Sequence, residues 1–188
     1  MRKGLFFLAA ALLAFCMNIA WFGQAEAAWV AVVPIQVDDT KVERSGDFNS
    51  YYWDIMVERF QYPEYELVQD EKVDKVLPES GRLAFDKETL VKLLDKTEAD
   101  IVVAMNLDET NEEPLPTFSE PEIQCFMKGE FASYNRLTGK YYHKKLYYKD
   151  NMEEVLALRN DWQQRVFASE LNRFINQTLE EKKTKGKI

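Results

Sequence analysis

The stretch Trp29-Val-Ala-Val-Val-Pro-Ile-Gln-Val37 limits the possible folds more than any other part of the chain. It is too short for a buried helix and too rich in β-branched residues to favour one, so it predicts a strand. Val30, Val32 and Val33 leave little polar surface for either side. Such a run calls for cover on both faces, as in a parallel α/β layer. Pro34 has no N–H to donate, so pairing must stop there, or that side of the strand must lie at an edge or a bulge.

The apolar pattern that follows alternates between helix and strand. Phe48, Tyr52, Ile55, Met56 and Phe60 recur at helical spacing. With Asp47 as N-cap they predict a helix from about Asp47 to Gln61, ending before Pro63. Tyr65 to Gln69 reads as a second strand, and Glu71 to Leu77 as a helical turn closed by Pro78 and Gly81. From Asp86 an amphipathic helix presents Leu90, Leu93 and Leu94, and it leads into a third strand, Ile101 to Met105. The order strand, helix, strand, helix, strand yields parallel pairing with right-handed crossovers, and the helices then cover the sheet.

Beyond Met105 the pattern changes. Leu107 to Pro121 is acidic and carries Pro114, Pro116 and Pro121, which predicts an exposed loop. Ile123, Cys125, Met127 and Phe131 then alternate with Gln124, Lys128 and Glu130. With the tyrosine-rich run Lys140 to Lys149 and a turn at Arg136-Leu-Thr-Gly139, this predicts a long antiparallel hairpin. From Asn151 to Leu179 the residues Met152, Val155, Leu158, Trp162, Val166, Leu171, Phe174, Ile175 and Leu179 trace one helical stripe, with Asp150 as its cap. The fold class is therefore α/β, in two or three layers, with parallel N-terminal strands, a C-terminal antiparallel hairpin and a long C-terminal helix. No repeat or linker divides it, so residues 28–179 read as one domain and 180–188 as a basic, frayed tail.

The first residues have the layout of an export signal: Arg2 and Lys3, a charge-free run from Gly4 to Phe22, then the small-x-small site Ala25-Glu26-Ala27. Residues 1–27 are thus expected to be a signal peptide cleaved after Ala27. The rival reading is an uncleaved anchor, because the apolar run falls within the roughly 17–25 residues that can span a bilayer. Either reading places the folded part outside the cytoplasmic membrane, periplasmic or secreted. Phe15, directly before Cys16, is too bulky for a lipoprotein signal. After cleavage about 160 residues remain, enough for one domain with a sizeable core, and Cys125 is the sole cysteine left, so no disulfide can form within the chain. The net charge of −8 without a basic stripe argues against nucleic acid and against anionic lipid. Contact with a membrane arises only if the signal segment is retained.

The opening Val30-Ala-Val-Val-Pro-Ile35, then Tyr65-Glu-Leu-Val-Gln-Asp70, Ala99-Asp-Ile-Val-Val103 and Leu137-Thr-Gly139 at a hairpin turn follow one another in an order that resembles the TolB amino-terminal and CsgG type of envelope domain, over roughly residues 29–178. The resemblance implies a non-enzymatic envelope domain that works by contact, in assembly, scaffolding or secretion. It transfers no catalytic residue.

The chemical inventory agrees with that expectation. His143 is the only histidine, and its position between tyrosines and lysines suits a surface or cross-strand partner better than a catalytic base. A histidine-based zinc site has no second imidazole. Cys125 alternates with Ile123 and Met127, as a small core residue would. There is no Gly-rich phosphate loop and no Gly-x-Ser-x-Gly elbow, and no cofactor or metal is expected. One constellation could hold a ligand: Asp38 and Asp39 follow the first strand, and Asp108 and Glu109 follow the third. If those strands are parallel neighbours, the four carboxylates share the rim where open α/β sheets bind ligands, although they lack the spacing of a calcium loop. A cation or small-molecule sensor at that rim is the alternative to a domain that binds an envelope protein; a hydrolase with paired carboxylates is a third class. Tyr51, Trp53, Tyr62 and Tyr65 near the first helix, with Tyr142 and Tyr148 on the last strand, are candidates for an aromatic contact surface. The partner's identity and the oligomeric state stay open.

Overall fold

The computed structural model describes residues 27–42, 45–78, 82–116, 121–155 and 162–180. The expected signal peptide up to residue 26, Gly81, Leu158 and the basic tail from residue 181 lie outside them. One sheet organises the chain, in the order β3-β1-β4-β5-β6, with β2 also paired to β4.

The opening stretch forms β1 (Ala28–Val32) and β2 (Gln36–Val37), one run interrupted at Pro34. Both pair with β4 (Ile101–Leu115) in parallel, Val32 opposite Val103 and Gln36 opposite Asn106. Four residues on the first run thus advance against three on the second, so the missing N–H of Pro34 falls in a local bulge. On its other side β1 pairs in parallel with β3 (Tyr65–Leu67). Between them runs α1 (Ser45–Arg59); it starts ahead of Asp47, which sits in the first turn instead of capping it. An acid in the first turn still complements the helix dipole. The short α2 (Asp70–Asp74) replaces the turn expected from Glu71 to Leu77. Where the sequence expected a helix to begin, Asp86 caps α3 (Lys87–Thr97), its Oδ1 accepting from Thr89 N at 2.9 Å.

Two clusters lie on opposite faces of this parallel part. Val30, Val32, Ile101, Val103 and Met105 pack against Phe48, Tyr52 and Met56 of α1. Ala31, Val33, Val102 and Ala104 pack against Val73 of α2 and Leu90, Leu93 and Leu94 of α3. Tyr52 is fully buried, and its hydroxyl donates to the Val33 carbonyl at 3.0 Å, which satisfies the one polar atom it brings inside.

The hairpin is longer than its period-two run suggested. β5 (Glu122–Asn135) pairs antiparallel with both β4 and β6 (Lys140–Glu153). Gly139, at φ +65°, closes the turn between them in a conformation that favours glycine. Two expectations fail here. Leu107 to Leu115 is not a loop but the second half of β4, matched residue for residue to β5 after a bulge between Leu107 and Glu109. Among the described residues no strand pairs with its outer edge past β2, the kind of edge where a proline is tolerated, and acidic side chains on an open face remain solvated. The expected helix from Asn151 is also wrong in its first part: Asn151 to Glu153 belong to β6, with Met152 opposite Ile123 and Asp150 opposite Cys125 instead of capping a helix. Met152 satisfies a period of two as well as a helical stripe.

The C-terminal helix is α4 (Trp162–Leu179). Trp162, Phe167, Leu171, Phe174 and Ile175 are buried against the same face as α1. Phe174 stacks on Phe131 of β5 and Trp162 on Tyr148 of β6, while Thr178 and Ser133 share a buried hydroxyl contact of 2.6 Å. The architecture is α/β as expected, and both layer counts apply: three layers over the parallel strands, two over the antiparallel extension.

Candidate functional site

The four carboxylates singled out in the sequence do come to one edge of the sheet. β2 and β4 run side by side, Val37 opposite Leu107, and Asp38 N donates to the Leu107 carbonyl at 3.0 Å, so Asp38 and Asp108 follow as neighbours. They do not act as a free acidic cluster. Asp38 accepts from Thr40 Oγ1 at 2.6 Å and Thr40 N at 3.1 Å and lies 3.8 Å from Lys41 Nζ. The Thr40 hydrogen bonds, with Lys41 and Arg82 nearby, hold its carboxyl below the usual carboxylate range. Asp108 is paired with Arg82, and Glu109 with Lys128 at 2.9 Å. Asp39, which is exposed, lines an open hollow of about 410 Å³ together with Glu109, Thr110 and Lys41. Among the described residues no group of three or more His, Cys, Asp or Glu is placed to hold a metal ion.

Other candidates sit where the sequence suggested. His143 Nε2 lies 2.6 Å from Glu130 Oε1 across the β5–β6 ladder, with Phe85 edge-on to the ring, so it is a cross-strand partner. Cys125 is buried, and burial, with Glu112 and Asp150 adding to it, pushes its thiol up to about 11. A thiol so placed stays protonated and unreactive at neutral pH.

The aromatic candidates divide differently. Tyr51, Trp53, Tyr65, Tyr142 and Tyr148 pack partly buried against the core below α1 and α4, and only Tyr62, at 78% exposure, stands free. The open aromatic surface is on the other side of the hairpin. There the second cluster ends at Ala104, Ala132 and Tyr141, and beyond it the face formed by the far halves of β4, β5 and β6 has no described helix over it. Phe126 lies half-buried on that face, with Lys128 Nζ 4.8 Å from its ring centre. Tyr147, opposite Lys128, is 64% exposed. Sequence reasoning passed over both residues. The signal was present in the parity of the hairpin: every residue out of step with Ile123, Cys125 and Met127 points to this side.

Among the described residues the last strand is also free along its outer edge. β6 pairs only with β5 among the described strands, and its 14 residues end the sheet. No described helix is long and apolar enough to cross a membrane.

No family model matches the chain, and no curated protein matches it. Solved structures do resemble it. A neuraminyllactose-binding hemagglutinin homolog from Helicobacter pylori is similar over 84% of this chain and 87% of its own, at 12% identity and a TM-score of 0.49. Lipoprotein GNA1162 from Neisseria meningitidis is similar over 80% and 99%, at 13% identity and a TM-score of 0.45. The LpoB C-terminal domain from Salmonella enterica is similar over 72% and 92%, at 10% identity and a TM-score of 0.38. These structures do not show TolB or CsgG specifically.

Proposed function

We propose that this is an exported domain of the cell envelope that acts by protein–protein contact, in assembly, scaffolding or secretion, and performs no catalysis. The observation that carries the reading is the uncovered face of the β4–β5–β6 extension. A sheet that needed only to be stable would be covered on both faces or polar on the open one, yet this face displays Phe126 and Tyr147 among lysines, glutamates and amides. Tyrosine and phenylalanine framed by polar groups are what contact surfaces are enriched in. The export-like N-terminus supports an extracytoplasmic location for that contact. The chemical groups support the absence of catalysis, since His143 is engaged by Glu130 and Cys125 is buried. The acidic rim is less suited to holding a ligand, because three of its four carboxylates already have cationic partners.

Co-purification from the native envelope after mild crosslinking tests the reading. A discrete partner protein should be recovered with the parent chain and lost with Tyr147→Asp, a substitution at an exposed site that leaves the core intact. Equal recovery with both chains would remove the open face from the account, and recovery of no partner from either would refute it.

A further inference from the structure

Beside the free edge of β6 the structure carries a groove. Tyr148 and Met152 face α4 from the strand, and Trp162, Arg165, Val166, Ser169 and Glu170 face them from the helix, around a hollow of about 270 Å³; Glu170 is itself paired with Arg173. The floor is apolar and aromatic, and Arg165 stands exposed at the rim. An edge strand flanked by a helix is the geometry in which an extended segment adds to a sheet: its backbone continues the ladder, and alternate side chains enter the space beneath the helix.

Charge specifies what kind of segment fits. Lys144, Lys145 and Lys149 are exposed along the middle of β6, ahead of its acidic end at Asp150 and Glu153, and none of the three has a carboxylate partner among the described residues. Their facing follows from register: Lys145 lies opposite Glu130 and Lys149 opposite Phe126, both on the open face, whereas Lys144 lies opposite Phe131 on the α4 side. Lysines on an edge strand repel a second lysine-rich strand, which disfavours pairing of β6 with itself in most registers. The same lysines attract carboxylates. An added strand with acidic residues towards the open face would meet Lys145 and Lys149 there, and its apolar residues would point into the groove.

We propose that β6 and α4 form a strand-addition site for an extended acidic segment of a partner protein, one in which acidic and apolar residues alternate. The proposal rests on the contact reading above and names the chemistry of the partner. Main-chain hydrogen bonds to β6 hold the segment, Lys145 and Lys149 select its charge, and the groove between Tyr148, Met152 and Val166 selects its apolar positions.

The test uses the whole exported chain and two synthetic peptides of about nine residues, long enough to span ~30 Å of edge. One alternates Glu with Val; the other has Lys in place of every Glu. The Glu/Val peptide should bind, should slow hydrogen exchange at amides within Lys144–Tyr148, and should bind more tightly than the Lys/Val peptide. The double reversal Lys145→Glu with Lys149→Glu should weaken it about ten-fold or more, since two attractive surface pairs become repulsive. Ser169→Trp, which fills the groove from an exposed position, should weaken it with the lysines intact. Binding that leaves the β6 amides unprotected, binding of both peptides alike, or concentration-dependent self-association through β6 in the absence of peptide would overturn the proposal. If the crosslinked envelope partner is retained by both variants while peptide binding is lost, the contact reading stands and this one falls. If the peptides behave as expected but no envelope partner is recovered, the contact reading falls alone.

Discussion

The two halves of the sheet make a natural comparison. Around β1 every residue from Val30 to Val33 is buried, because α1 and α4 lie on one side and α2 and α3 on the other. In the far half of the hairpin only one side is buried: Ile123, Cys125 and Met127 are closed off, while Gln124, Phe126 and Lys128 between them are not. The first half is spent entirely on stability. In the second half the same backbone arrangement supports a core on one side and leaves the other available, which is why the candidate contact surface lies there and not at the rim of the parallel strands.

The difference can be broken most forcefully from its covered side. Trp162 is buried under α4, stacked on Tyr148 and donating from Nε1 to Glu112 Oε1 at 2.5 Å. Trp162→Ala should cost about 3–5 kcal/mol in denaturant unfolding, the usual result of emptying a large aromatic core site. An unchanged midpoint would mean that α4 is not part of the domain.

The junction of the halves comes next. Gly129 faces Leu107 at the bulge, and a Cβ built on it would lie 2.5 Å from the Asn106 carbonyl oxygen. That atom is backbone and cannot swing away, so Gly129→Ala should destabilise by about 1–3 kcal/mol. A neutral result would show that β4 and β5 are free to separate at the bulge.

On the open side the expectation reverses. Tyr147→Ala should leave stability within about 0.5 kcal/mol of the parent, as surface substitutions do. A loss comparable to that at Trp162 would make Tyr147 a core residue and erase the contrast.

These halves also differ in how far they could be read from the sequence. Val30 to Val33 was unambiguous because burial on both faces leaves only one arrangement for a short β-branched run, and the helix around Leu90 announced itself through its stripe. The extension was harder. Half of its residues answer to solvent, so Pro114 and the run Asp108 to Glu113 had the composition of a loop while sitting in a strand. Met152 obeyed two periods at once, and local pattern could not choose between them. The site suffered likewise. Neighbouring carboxylates were visible in the sequence, but Arg82 and Lys128, which neutralise Asp108 and Glu109, come from distant positions and could be placed only by tertiary structure.

That neutralisation sets the smallest expected effect. Thermal melts with and without millimolar calcium or magnesium should coincide, because carboxylates that already have cationic partners gain little from a metal. A rise in midpoint that disappears when Asp39→Asn and Asp108→Asn are combined would return the acidic rim to consideration as a ligand site.

The most direct test of the central claim compares the uncovered hairpin with the covered half in the native envelope. A photo-crosslinking side chain at position 147, on the open face, is set against one at position 57 on α1, where Val57 is also exposed at 54%. The account predicts a discrete protein adduct from position 147 and none from position 57. Adducts from position 57 alone, or the same adducts from both, would contradict it.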